Sequence, residues 1–109
     1  MFGLNDVYPV TSWTNTARGA RDIAASNVTY PSGTIDPWHV LGITNSTKLH
    51  NPTERAVFIG GTAHCADMYR PAPSCDIPEI REGGYLCEPA NITWAHERIA
   101  EEVTSVFYF

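Results

Sequence analysis

Ala56-Val57-Phe58-Ile59-Gly60-Gly61-Thr62-Ala63-His64-Cys65-Ala66-Asp67-Met68 is the stretch on which the fold turns. Its first four residues are an unbroken apolar run, preceded by Glu54-Arg55 and closed by paired glycines. A run of that length and character fits a parallel strand with both faces covered. His64 then follows in the loop at the carboxyl end, the edge of an open α/β sheet where sites gather. Upstream, Asn27–Tyr30 reads as a second short strand, because Val28, Thr29 and Tyr30 all favour extended backbone. Pro31-Ser32-Gly33 reads as the turn that ends it. Asp36 comes soon after, so each strand delivers one ionisable residue to its following loop. A carboxylate and then a histidine, each after its own strand, is the back half of the Ser, Asp, His order of α/β hydrolases. Two parallel neighbours joined by a crossover would bring Asp36 and His64 together at one sheet edge. The expected carboxylate–imidazole separation is roughly 2.6–3.2 Å.

The remainder supports one small domain. With 109 residues, 43% hydrophobic and 17% charged, the chain can bury a core. Twelve acids against seven bases give a net charge of -5, which argues against a nucleic-acid partner. No apolar run approaches the roughly 18 residues of a membrane span. Residues 1–26 read as loop, with a short helix around Ala17–Ala25 broken by Gly19. Ile92, Ala95, Ile99, Val103 and Val106 recur at helical spacing and predict a carboxyl-terminal helix. Asn91 or Thr93 suits its cap, Pro89 its start, and Arg98 with Glu102 an ion pair one turn apart. Residues 70–91 hold Pro71, Pro73, Pro78 and Pro89, two cysteines and Gly83-Gly84, and read as loop and insertion.

Several marks point to the secretory route. Asn27, Asn45 and Asn91 each begin a glycosylation sequon, where chance would give about one. A disulfide between Cys75 and Cys87 would close a loop with little apolar content of its own. Cys65 is then a free thiol or the partner of a cysteine outside this chain, and three reduced cysteines are the alternative. Met1–Asp6 show neither the basic start nor the apolar stretch of a secretory signal. Secretory marks without that signal suggest a piece of a longer protein.

Gly33-Thr34-Ile35-Asp36-Pro37-Trp38-His39, followed by Leu41-Gly42, resembles the acid loop of the serine carboxypeptidase family that holds prolylcarboxypeptidase, dipeptidyl peptidase II and thymus-specific serine protease. Gly61-Thr62-Ala63-His64-Cys65-Ala66-Asp67-Met68 resembles that family's histidine loop, in the correct order and at compatible spacing. The Asp-Pro-Trp-His and His-Cys-x-Asp-Met forms are most similar to the thymus-specific branch. The resemblance runs over about residues 2–107, and residues 70–91 depart from it. It implies the carboxyl-terminal portion of an α/β-hydrolase fold, with cleavage of peptides near proline by a secreted or lysosomal enzyme. It assigns Asp36 as triad acid, His64 as triad base and Trp38 as a wall of the proline pocket, where a flat indole suits a pyrrolidine ring.

No Gly-x-Ser-x-Gly occurs, and none of Ser12, Ser26, Ser32, Ser46, Ser74 and Ser105 sits in a strand–elbow–helix context. The expectation is therefore a fragment that supplies the acid and base, lacks the nucleophile, and is inactive alone. The rival reading is a non-catalytic small secreted glycoprotein derived from this fold. A lipase or esterase of the same fold is disfavoured by the Asp-Pro-Trp-His wording. No metal or organic cofactor is implied: His39, His50, His64, Cys65 and Asp67 form no paired zinc motif, and neither glycine pair makes a phosphate loop.

Overall fold

The computed structural model describes residues 7–107. Residues 1–6, part of the stretch read as loop, lie outside the described residues. In chain order the elements are α1 (Val7–Arg18), β1 (Val28–Gly33), β2 (Glu54–Ile59), α2 (Pro78–Glu82) and α3 (Ala90–Phe107). Short 3₁₀ turns lie at Ala20–Asp22, Pro37–Leu41 and Ala66–Met68.

β1 and β2 pair in parallel, with Val28 opposite Glu54 and Gly33 opposite Ile59. This two-stranded sheet with its helices is compatible with part of an α/β fold. β1 runs further than the sequence suggests. Pro31-Ser32-Gly33 continues the strand rather than turning it. Proline is tolerated on an edge strand, where the ladder does not need its missing N–H. The chain turns instead at Thr34-Ile35, where Asp36 N–H donates to the Gly33 carbonyl at 3.3 Å.

Burial alternates along the apolar run of β2: Val57 and Ile59 are buried, Ala56 and Phe58 only half-buried, and Glu54 is buried on the opposite face. The apolar run thus has one fully covered face, not two. On that face Val57 and Ile59 meet Ile92 and Ala95 of α3, with Ala66 and Ile99 at the margin. The helical stripe is buried only over its first half, since Val103 and Val106 are 53% and 40% exposed.

Three local readings are corrected. The amino-terminal helix is α1, upstream of the expected Ala17–Ala25, and it stops at Gly19. Gly19 adopts φ 86°, a left-handed geometry that favours glycine, and its N–H donates to the Asn15 carbonyl at 2.8 Å. α3 starts at Ala90, so Asn91 and Thr93 lie inside it rather than capping it. Arg98 pairs with Glu101 at 2.6 Å, whereas Glu102 reaches across to Arg55 at 3.2 Å. Residues 70–91 are not wholly loop, because Pro78 opens the short α2 at its first position.

The radius of gyration is 17.9 Å. A compact chain of this length would have about 13 Å. On α1, Tyr8 and Trp13 are exposed.

Candidate active site

The loops after β1 and β2 are laced together before either reaches its ionisable residue. Thr34 N–H donates to the Ile59 carbonyl at 3.1 Å, and Ile35 N–H to the Thr62 carbonyl at 3.1 Å. Gly61 N–H returns to Thr34 Oγ1 at 2.7 Å. The buried Thr62 hydroxyl donates to the Ile59 carbonyl at 3.0 Å. So close an approach needs Gly33. A Cβ there would collide with the Thr62 carbonyl oxygen and meet the Ala63 oxygen at 2.8 Å.

Asp36 uses each carboxylate oxygen differently. Oδ1 accepts from Trp38 N–H at 2.9 Å, capping the 3₁₀ turn whose first position is Pro37. Oδ2 lies 2.7 Å from His64 Nδ1. The cap fixes the carboxyl group so that its second oxygen faces the imidazole. These hydrogen bonds, His64 first and Trp38 second, hold the Asp36 carboxyl below the usual carboxylate range. His39 Nδ1 donates to the Asp36 carbonyl at 2.5 Å, a further tie on the acid loop.

His64 itself is open. Its side chain is 55% exposed, against 8% for Asp36. Among the described residues no hydrogen bond engages its Nε2. Trp38 stands edge-on to the imidazole, ring centroids 4.9 Å apart and planes at 90°. Both rings border a hollow of about 270 Å³ that Pro31, Ile59 and Met68 also line. An ionised carboxylate on Nδ1 makes that nitrogen the donor and leaves Nε2 as the basic lone pair. The arrangement can therefore accept a proton at Nε2 and stabilise the resulting cation.

The profile of the family described as Serine carboxypeptidase S28 matches residues 3–84. The chain belongs to that family. A Caenorhabditis elegans protein named as a putative serine protease is 41% identical over 70 residues, 62% of this chain. The thymus-specific serine proteases of Mus musculus and Homo sapiens are 36% and 34% identical over 85 residues, 76% of this chain. The matched stretch is 13% of the worm protein and 16% of each mammalian one, so the chain spans a small part of their lengths. No solved structure matches the chain at significant similarity.

The other singled-out residues fall elsewhere. Cys75 and Cys87 form a disulfide with Cα atoms 4.9 Å apart, and Cys65 is free and exposed. Asn27 and Asn45 are exposed. Asn91 is half-buried, and its Nδ2 donates to the Gly60 carbonyl at 2.7 Å. Among the described residues no three of His, Cys, Asp and Glu gather as a metal shell.

Two buried carboxylates escaped the sequence reading. Glu54 accepts from Tyr30 O–H at 3.0 Å and from Asn51 N–H at 3.0 Å, tying the start of β2 to β1 and to the preceding loop. Burial pushes its carboxyl up, but the hydrogen bonds from Asn51, Tyr30 and Ala25 outweigh burial and the net shift is down. Glu88 accepts from His96. Neither could have been separated in the sequence from an ordinary solvent-facing glutamate, because partners 24 residues away from Glu54 leave no local pattern.

Proposed function

We propose that this chain supplies the acid and base of a serine-peptidase triad, on the carboxyl-terminal portion of an α/β-hydrolase domain spanning residues 1–109, with an insertion at 70–91. The observation that carries this reading is the 2.7 Å Asp36–His64 contact at the carboxyl edge of paired parallel strands, with His64 Nε2 left open. His64 takes the proton of a serine outside this chain as that serine attacks a peptide carbonyl, then returns it to the leaving amine. Asp36 holds the tautomer and stabilises the imidazolium. Trp38 offers an apolar wall beside the base, suited to a peptide with proline near the scissile bond. No metal takes part in these steps. A secreted or lysosomal setting agrees with the Cys75–Cys87 disulfide and with the exposed sequon asparagines Asn27 and Asn45 as glycan sites.

The chain as given lacks a nucleophile elbow and is inactive on this reading. The purified 109 residues should not hydrolyse proline-containing peptides. Hydrolysis that disappears in His64→Ala would overturn the fragment reading. In a complete enzyme carrying these residues, Asp36→Asn should lower kcat by about 10⁴-fold through loss of the correct tautomer. A small decrease there would reduce Asp36 to a cap of its turn and favour the non-catalytic glycoprotein.

A further inference from the structure

The histidine loop is anchored at its start by Thr62, but its far end has a second anchor. After His64 the backbone passes through Cys65 in a left-handed conformation, φ 59°, and into the Ala66–Met68 turn. The Asp67 carbonyl in that turn meets His96 Nε2 at 2.8 Å. The same ring presents Nδ1 to Glu88 Oε2 at 3.1 Å. His96 sits on the face of α3 that carries Ile92, Ala95 and Ile99, and both partners come from other segments.

We infer that His96, held by Glu88, is a positioning residue for His64: the pair clasps the far end of the histidine loop to α3. Proton accounting supports this. A backbone carbonyl only accepts, so His96 Nε2 carries a proton. Glu88 is 7% exposed as a side chain, and its carboxylate accepts from Ala72 N–H at 3.3 Å as well. Burial pushes the Glu88 carboxyl up, but hydrogen bonds from Thr93 and Ala72 and the His96 ring outweigh burial and leave it low. Glu88 Oε2 thus faces His96 Nδ1 as a carboxylate oxygen, and both ring nitrogens are engaged, one by Glu88 and one by the Asp67 carbonyl.

Glu88 is itself fixed by its backbone. Its N–H donates to the Pro73 carbonyl at 2.8 Å, and its carbonyl accepts from Cys75 N–H at 2.9 Å. It directly follows Cys87 of the disulfide. The segment that reads as an insertion therefore holds the carboxylate that holds His96. The clasp stands on its own geometry, while its meaning for chemistry rests on His64 being the base proposed above.

The 109-residue chain labelled with ¹⁵N provides the test. The wild-type His96 ring should show a proton on Nε2, the nitrogen that meets the Asp67 carbonyl. In Glu88→Gln the side-chain amide can donate to Nδ1, so the Nε2 proton and the clasp should survive. The Met68 amide, bonded to the Cys65 carbonyl at 3.0 Å, reports on the loop. Its hydrogen exchange should accelerate by about tenfold or more in His96→Leu, the factor for one charge-assisted hydrogen bond lost, and stay near wild type in Glu88→Gln. A bare Nε2 on wild-type His96, or Met68 exchange unmoved by His96→Leu, overturns the proposal. Where His96→Leu does not fold, the wild-type and Glu88→Gln ring spectra decide alone. Failure of the peptidase reading would appear in the Asp36 and His64 variants and leave the His96 spectrum unchanged, so the two cannot be confused.

Discussion

Two histidine–carboxylate pairs sit on opposite ends of one loop, and they differ in what they leave free. In Asp36–His64 the imidazole is 55% exposed, one nitrogen is bonded and the other is open. In Glu88–His96 the imidazole is 21% exposed and both nitrogens are bonded. The first ring can exchange a proton with something that arrives, whereas the second is already engaged on both sides. A histidine beside a carboxylate is thus insufficient to mark a reactive site. The unused nitrogen and the route to it from solvent are what separate a base from a brace.

The largest effect on this contrast should come from Gly33→Ala, which attacks the first pair through its backbone. The added methyl meets Thr62 and Ala63 oxygens that belong to the laced loops, not to flexible side-chain tips. Separating those loops should cost about 3 kcal/mol, at the upper end of overpacking. Denaturant unfolding measures it, and the Asp36–His64 contact should be lost while both His96 bonds remain. An unchanged midpoint would mean that the loops give way easily, and that their lacing does not set the geometry of the pair.

Next in size is removal of the disulfide. Cys75→Ser with Cys87→Ser opens a loop whose ends are 12 residues apart, worth roughly 2–3 kcal/mol. Here the second pair should loosen first, because Glu88 adjoins Cys87. Met68 exchange should accelerate while Ile35, bonded to the Thr62 carbonyl, stays protected. Equal acceleration at both amides would erase the distinction between the two anchors.

The pairing of Asp36 with His64 was legible because each residue follows an apolar strand and each sits in a motif with local physics. Asp36-Pro37 is a cap followed by a first-turn proline, and Gly60-Gly61 closes a strand. The parallel pairing followed from the length of the connection and the apolar runs. His96 was not legible, since in sequence it is one more residue on the face of an amphipathic helix. Its partners, Asp67 and Glu88, lie 29 and 8 residues away. α1 was missed for a different reason. Its residues show no stripe that tertiary contact would explain, and Tyr8 and Trp13 remain exposed. The turn reading of Pro31–Gly33 failed because turn chemistry was weighed without knowing that β1 would lie at an edge.

Acid should weaken both pairs together, more gradually than either substitution. Asp36, Glu54 and Glu88 all have carboxyls held below their ordinary values of 3.8, 4.5 and 4.5. A depressed folded-state value means that the unfolded chain takes up protons first as pH falls. Their stabilisation is therefore fully present above the ordinary carboxylate range and is lost as pH drops through the lowered values. Unfolding followed by tryptophan fluorescence should show a flat response from neutral pH down to the ordinary range and a fall beneath it. A loss of stability beginning near neutrality would point to histidine, not to these carboxylates.

The smallest effect on stability should come from Trp38→Ala, and that smallness is informative. The indole is 62% exposed and meets His64 through a single edge-on contact. An exposed side chain without a buried role typically changes stability by about 0.5 kcal/mol or less. Asp36 should keep its cap, because the bond runs to the backbone N–H of residue 38 and not to the indole. His64 should keep its Nδ1 contact for the same reason. What should change is the environment of the open side of the ring, seen as a shift of the His64 ring protons on losing the neighbouring aromatic face. In a complete enzyme the same substitution should raise KM for proline-containing peptides more than it lowers kcat, as expected when a wall of the binding site is removed and the proton-transfer pair is left intact. A fall in kcat with KM unchanged would instead place Trp38 with the acid and base, as a group that orients the imidazole during proton transfer.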